Sequence, residues 1–127
     1  MSTRKVLDNA QEVILRRWRV IEIETQDGTR SRHVWGHDVT HDLGRASTAI
    51  MDFNLNTMTA TTRSGRNYRL VGLPGNSRLG KHAWSSWCST HGVVSEVDIT
   101  SEYLNIHELS TIELAKINCA PRPQDDL

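Results

Sequence analysis

The sequence predicts an α+β protein: a curled antiparallel sheet or small barrel of about five strands, packed against a helix in the C-terminal half of the chain. Three observations support this fold class. Short alternating segments rich in β-branched residues follow one another up to Gly75, at roughly ten-residue spacing. Turn residues such as Asp27-Gly28 and Ser64-Gly65 separate these segments. A helical repeat of apolar residues begins after Gly75.

The first strand is predicted over residues 13–24, VILRRWRVIEIE, which are mostly β-branched, aromatic or charged. Its apolar side chains change phase, because Trp18 and Val20 share one face of a strand whereas Ile21 and Ile23 share the other. A slip of one residue turns every later side chain over. We therefore expect a bulge at Val20–Ile21, or a change from helix to strand slightly earlier.

The later strands are predicted from turn residues and alternation. Asp27-Gly28 predicts a tight primed hairpin turn followed by a strand over Thr29–Val39. The segment His41–Arg45, HDLGR, predicts a turn. Further strands are predicted over Ser47–Phe53, over Met58–Arg63 and up to Leu73–Gly75, with turns at Asn54–Thr57 and Ser64–Gly65. The positions expected to face the core are Ala49, Met51, Phe53, Met58, Ala60, Thr62, Tyr68, Leu70 and Gly72.

A helix is predicted over residues 80–91, where apolar positions recur at i, i+3, i+4 and i+7. The residues on this face are Trp84, Trp87, Cys88 and His91. Asn76 or Ser77 is expected to cap the helix, Gly92 to end it, and residues 93–99 to form a strand. One domain is expected over residues 1–120, β-rich over 13–75 and helix-containing over 76–120, followed by a disordered tail at 121–127.

Composition indicates a globular protein of the cytoplasm with no membrane partner. Of 127 residues, 37% are hydrophobic and 24% charged. No apolar run approaches the roughly 20 residues that cross a bilayer. The first residues, MSTRKVLDNAQ, lack the apolar core of a secretory signal. In a cytoplasmic protein Cys88 and Cys119 are expected to be reduced thiols.

The formal net charge of zero conceals a split along the chain. Residues 1–82 hold 13 Lys and Arg against 8 Asp and Glu, whereas residues 83–127 hold 2 against 7. Arginine outnumbers lysine by 12 to 3, and its planar guanidinium suits phosphate and carboxylate. A solvated polar face explains the same pattern without a partner. We nevertheless predict a partner-binding basic face formed by Arg17, Arg19, Arg30, Arg32, Arg63, Arg66 and Arg69.

The residues that could carry catalysis or bind a metal lack the required spacing. On a strand, His33 and His37 would lie roughly 13 Å apart, too far to share one ion. Cys88 and His91 have the spacing of half a zinc site, but no second close pair completes it. Cys88 lies near the predicted helix end, where the dipole raises a thiol's pKa. We therefore predict no catalytic residues, no metal and no cofactor.

Turn glycines and core positions between residues 35 and 72 form a recognisable pattern: Trp35-Gly36, Asp42-Leu43-Gly44-Arg45, Ile50, Phe53, Thr62-Arg63-Ser64-Gly65 and Tyr68-Arg69-Leu70-Val71-Gly72. This pattern resembles that of a family of small bacterial proteins, often carried by prophages and plasmids, for which we know of no activity. Such residues specify a fold and no activity. By analogy, the resemblance implies an accessory protein of a mobile genetic element.

These expectations favour a non-enzymatic binding protein of a mobile genetic element, acting as an inhibitor or modulator of a host nucleic-acid-handling or defence complex. Its partner would be a protein. One alternative is direct binding of DNA or RNA by the arginine-rich β face. A third hypothesis, from another class, is a metal- or thiol-dependent enzyme using His37, His41, Cys88 and His91.

Overall fold

A computed structural model describes residues 12–104 of the chain. The tail predicted at 121–127 lies outside the described residues. The strands are β1 (Glu12–Thr25), β2 (Arg30–Asp38), β3 (Leu43–Ala46), β4 (Ile50–Asn54), β5 (Thr59–Thr62), β6 (Asn67–Leu70) and β7 (Val93–Asp98). One helix, α1 (Arg78–Thr90), and a 3-10 helix (Thr100–Tyr103) complete the described part.

The described strands form one open, mixed sheet in the order β3-β2-β1-β6-β5-β4, with β7 also paired to β1. The prediction of an α+β fold is confirmed, but the closed barrel, the purely antiparallel sheet and the number of strands are wrong. β1 is long enough to have two neighbours on the same side. Its first half pairs with β6 in parallel, and its second half pairs with β7 in antiparallel.

The bulge in β1 lies earlier than the change of apolar phase indicates. The register with β2 shifts between Arg16 and Arg19, and Arg17 takes the left-handed φ of 51°. Val20 and Ile21 are both buried in continuous register. They point to opposite faces, and each face carries a core. Two buried faces thus produce the phase change that we interpreted as a bulge.

The two cores lie on opposite faces of β1. The larger core contains Val13, Leu15, Trp18, Val20, Val34, Ala60, Tyr68, Leu70, Ile99 and Tyr103. The smaller core lies beneath α1 and contains Ile21, Ile23, Trp35 and Trp84. The expected inward position of Met51 is wrong, because the register shift between Ile50 and Asp52 leaves its side chain 63% exposed.

The β1–β2 and β5–β6 hairpins have three-residue loops of the same conformation. Gly28 and Gly65 take φ values of 87° and 89°, and each donates its N–H to the residue three positions earlier. The predicted positive φ at both glycines is confirmed. The turn at Asp27-Gly28 is longer than the two-residue primed turn expected. That turn requires positive φ at both central residues, and only the glycine has it. Part of the turn predicted at His41–Arg45 instead forms β3.

Helix α1 lies against the sheet at a contact built from glycines. A methyl group on Gly80 would lie 2.6 Å from the carbonyl oxygen of Gly36 in β2. A methyl group on Gly36 would lie 2.9 Å from the carbonyl oxygen of Arg16 and 3.1 Å from the Cα of Trp18. Gly36 is therefore enclosed between the helix and the bulge of β1. Gly44 of β3 packs even more closely against the backbone of Leu79 and Gly80.

Replacing Gly80 by alanine tests this contact through the sign of its effect. In an isolated helix the change would stabilise by about 1 kcal/mol, because alanine is the better helix former. In this protein we expect Gly80→Ala to lower the free energy of unfolding by about 1–3 kcal/mol, since backbone blocks the new methyl group. Chemical denaturation measures the difference, and Ser85→Ala on the exposed helix surface is the control. A stabilised Gly80→Ala variant would contradict the close approach.

Candidate functional site

The bulge of β1 brings adjacent arginines to the surface beside the start of α1. Arg16 and Arg17 are both exposed. The loop after β6 follows the bulge closely, since the N–H of Gly75 donates to Trp18 O at 3.2 Å and that of Ser77 to Arg17 O at 3.3 Å. These bonds fix the first turn of the helix beside the two arginines.

Ser77 begins the helix, and its hydroxyl accepts a hydrogen bond from the N–H of Gly80 at 2.9 Å. The predicted cap at Ser77 is confirmed. Arg78, the next residue in the chain, has an exposed side chain. A groove of about 660 Å³ opens here. We call it the arginine groove; among its lining residues are Arg16, Arg17, His37, Asp42, Ser77 and Arg78.

The arginine groove carries excess positive charge. Asp42 is the one carboxylate among its described lining residues, and it accepts a hydrogen bond from the His37 ring at 2.8 Å. Within residues 12–104, no carboxylate forms an ion pair with Arg16, Arg17 or Arg78. The described part of the chain therefore leaves these three guanidinium groups without a neutralising partner.

Most of the predicted basic face is engaged with carboxylates of the protein itself. Arg19 pairs with Asp98 at 2.9 Å, and Arg69 with Glu12 at 3.7 Å. On the first hairpin, Arg30 and Arg32 pair with Glu22, Glu24 and Glu102. These four arginines form intramolecular ion pairs across neighbouring strands and with the 3-10 helix.

The other three predicted residues form no ion pair within the described part of the chain. Arg17 lines the arginine groove, whereas Arg63 and Arg66 lie in the loop between β5 and β6. Sequence reasoning missed Arg16 and Arg78. Neighbouring residues of a regular strand point to opposite faces, so the Arg16-Arg17 pair gave no sign of a shared site without the bulge.

The arginine groove contains two locally unfavourable features, one of backbone conformation and one of charge. Arg17 holds a left-handed φ that disfavours any side chain. Arg78 and Lys81 lie in the first turns of α1, at the positive end of its dipole, and no acidic residue compensates them there. Such exceptions concentrate at functional sites, where they persist because the surrounding structure imposes them.

A buried carboxylate fixes the turn beside the groove. Asp38 is fully buried; it accepts hydrogen bonds from the backbone N–H groups of Thr40 and His41, the His41 ring and the Arg45 guanidinium. Burial alone would raise the pKa of the Asp38 carboxyl. The hydrogen bonds from Arg45 and His41 outweigh burial and hold that pKa at about 2.

The three closely spaced histidines have different environments. The His33 ring is buried; it donates from Nδ1 to Ser47 O at 2.9 Å and accepts from the Ser31 hydroxyl at 2.7 Å. Burial lowers the pKa of the His33 ring, so it is neutral at pH 7. His37 and His41 bond to different carboxylates. No group of three His, Cys, Asp or Glu residues within 12–104 is placed to hold a metal ion.

The predicted aromatic face of α1 has a buried end and an open end. Trp84 is 4% exposed, Trp87 is half-buried and His91 is exposed. Cys88 packs against the smaller core. Burial, with a smaller contribution from Glu96, raises the pKa of the Cys88 thiol to about 11. The thiol is therefore protonated at neutral pH and lacks the thiolate that nucleophilic chemistry requires.

Searches for relatives found no match among protein-family models, curated proteins or solved structures. Among the described residues, no helix has the length and apolar character needed to span a membrane. The functional inference therefore depends on the geometry and charge of the site.

The Asp38 network predicts a specific loss of stability in acid. Its pKa lies below the ordinary 3.8, so its stabilising effect is complete above about pH 4 and is lost as pH falls toward 2. The shift corresponds to about 2 kcal/mol. We expect Asp38→Asn to be less stable at pH 7 and to lose less stability than the wild type between pH 4 and 2. Denaturant unfolding across this range measures both; parallel pH curves would contradict the assignment.

Proposed function

We propose that this protein is a non-enzymatic nucleic-acid-binding protein that holds the phosphate backbone in the arginine groove. The observation that carries this proposal is that Arg16, Arg17 and Arg78 line one groove and that none of them has a carboxylate partner among residues 12–104. A role in modulating a host complex on behalf of a mobile element stays a prediction from the sequence.

The chemistry of the groove suits phosphate. Each guanidinium presents paired N–H donors whose spacing matches two oxygens of a phosphate. The positive end of α1 adds its dipole at the same place, so the field of the helix and the field of Arg78 reinforce each other. A repeating anion can neutralise all three arginines at once. The polyphosphate backbone of a nucleic acid meets that requirement.

The pairing of the other arginines supports the same choice. The carboxylates of the first hairpin and of β7 neutralise Arg19, Arg30 and Arg32. If Arg17 served only solubility, nothing would be gained by holding it at a strained φ and apart from these ion pairs. Arg17 is kept apart by the bulge, and Arg78 by the helix cap. The separation preserves a cationic groove on a chain with zero net charge.

Removing groove arginines should weaken nucleic-acid binding and its salt dependence together. For each phosphate that a variant no longer neutralises, the slope of log K against log[salt] should fall by about 0.7 for a single strand or about 0.9 for a duplex. We expect this for Arg78→Ala and for Arg17→Gly. Glycine accepts the left-handed φ, so the melting temperature of Arg17→Gly should not fall. Fluorescence anisotropy at several salt concentrations measures the slopes.

Arg30→Ala is the matched control, because Arg30 is 68% exposed and pairs with Glu24 at 3.5 Å. Its slope and affinity should match the wild type. Absence of binding at low salt would refute the proposed function. Equal losses in Arg30→Ala and Arg78→Ala would show diffuse charge attraction instead of a defined groove.

A protein partner is a second candidate, and it is supported by strand β7. One edge of β7 pairs with β1, whereas the structure shows no strand within residues 12–104 on the other edge. Val94 and Val97 on this strand are 56% and 59% exposed. An open edge with exposed apolar side chains is a template for strand addition by another protein.

The β7 edge can be tested without disturbing the groove. We expect Val94→Lys and Val97→Lys to abolish recovery of any stoichiometric protein partner that wild-type protein captures, because lysine on an edge opposes strand addition. Nucleic-acid affinity should not fall in either variant. Identical capture by wild type and both variants, measured by pull-down and mass spectrometry, would remove β7 as the docking edge.

A further inference from the structure

A second depression, the aromatic cleft, lies farther along the same helix. It has a volume of about 400 Å³, and among its lining residues are Arg45, Arg66, Trp87 and His91. Arg45 pairs with the buried Asp38, whereas Arg66 forms no ion pair within residues 12–104. The cleft therefore combines an available guanidinium with aromatic rings.

Three rings form a continuous stack beside this cleft. Trp84 and Trp87 stack with centroids 5.4 Å apart and planes within 5°, and Trp87 and His91 with centroids 4.0 Å apart and planes within 16°. Nδ1 of His91 lies 2.8 Å from the Trp87 carbonyl oxygen, so it donates there and fixes the ring. The stack begins in the core and ends on the exposed imidazole of His91.

The arginine groove and the aromatic cleft lie on one side of α1. Leu79 of the groove and Trp87 of the cleft are eight residues apart, which is about 12 Å along the helix axis and only about 80° around it. A stacked nucleic-acid strand advances about 3.4 Å per phosphate, so this span corresponds to about four nucleotides. Asp42 lines the groove and Gly44 lines the cleft, so the segment that leads into β3 borders both. One strand can therefore reach both sites over the same elements.

We infer that the protein binds single-stranded nucleic acid, with the backbone in the arginine groove and an unpaired base stacked on the exposed ring of His91, at the outer end of the aromatic stack, where Arg66 contacts a neighbouring phosphate. This inference rests on the proposed function and specifies its substrate. The choice of a single strand follows from the rings: a planar aromatic surface beside free guanidinium groups recognises a base only when its face is unstacked. In a duplex the bases already stack on one another and offer no free face.

The test compares three probes: a 12-nucleotide oligothymidylate, a duplex of the same length and thymidine monophosphate. Anisotropy gives the affinities at low salt, and tryptophan fluorescence reports a base added to the His91 end of the aromatic stack. We expect the single strand to bind at least about tenfold more tightly than the duplex and to quench the fluorescence. His91→Ala and Arg66→Ala should each weaken single-strand binding by about fivefold or more, a larger loss than either variant shows for the duplex.

Two controls separate stacking from other effects. His91→Phe keeps a ring and should retain most of the affinity, and His82→Ala removes an exposed histidine that does not line the cleft and should have no effect. Circular dichroism and thermal melts establish that each variant is folded. Arg66→Ala, in the loop between β5 and β6, keeps the test decisive if a His91 variant fails to fold.

Each outcome has a distinct meaning. Equal affinity for duplex and single strand, with no effect of His91→Ala, would overturn this inference and leave the proposed function standing. If thymidine monophosphate binds as tightly as the oligonucleotide, the inference that one strand occupies both the groove and the cleft is overturned. Absence of binding to every probe at low salt would refute the proposed function itself.

Discussion

The enclosure of Gly36 between a strand bulge and a helix is the contact on which the rest of this structure depends. Its missing side chain lets the bulge of β1 approach from one face and α1 approach from the other. The bulge turns Arg16 and Arg17 to the surface, and the helix brings Arg78 beside them. The cationic groove is therefore a consequence of close backbone packing, and its geometry is fixed by rigid elements.

Strand β1 organises the sheet because it is buried on both faces and has two neighbours along one side. One face supports the larger core around Trp18, and the other supports the helix through Ile21 and Ile23. This arrangement leaves α1 lying across the sheet with one side exposed. Both candidate depressions lie along that helix, the arginine groove at its beginning and the aromatic cleft toward its end.

The distribution of charge within the molecule separates structural arginines from those available for binding. Acidic residues on the first hairpin, on β7 and in the 3-10 helix neutralise Arg19, Arg30 and Arg32. Exposed ion pairs of this kind contribute little to stability, but they remove those arginines from competition for an external anion. The network around Asp38 has a different role, because it is buried and fixes the turn that borders the groove.

Features that arise from local chemistry could be predicted from the sequence alone. Positive φ at Gly28 and Gly65, the Ser77 cap, the apolar face of α1 and the inward positions of Ala60, Tyr68 and Leu70 all follow from residues close together in the chain. In contrast, the parallel pairing of β1 with β6, the position of the bulge and the partners of each arginine depend on long-range packing and could not be predicted. Alternation of apolar residues indicates that one face of a strand is buried. A change of apolar phase, as at Val20–Ile21, arises either from a bulge in a strand with one buried face or from a regular strand with two buried faces. Likewise, the sequence shows how many arginines there are, whereas ion pairing depends on which strands become neighbours. The candidate site joins residues about 60 positions apart, and long-range packing alone could bring them together.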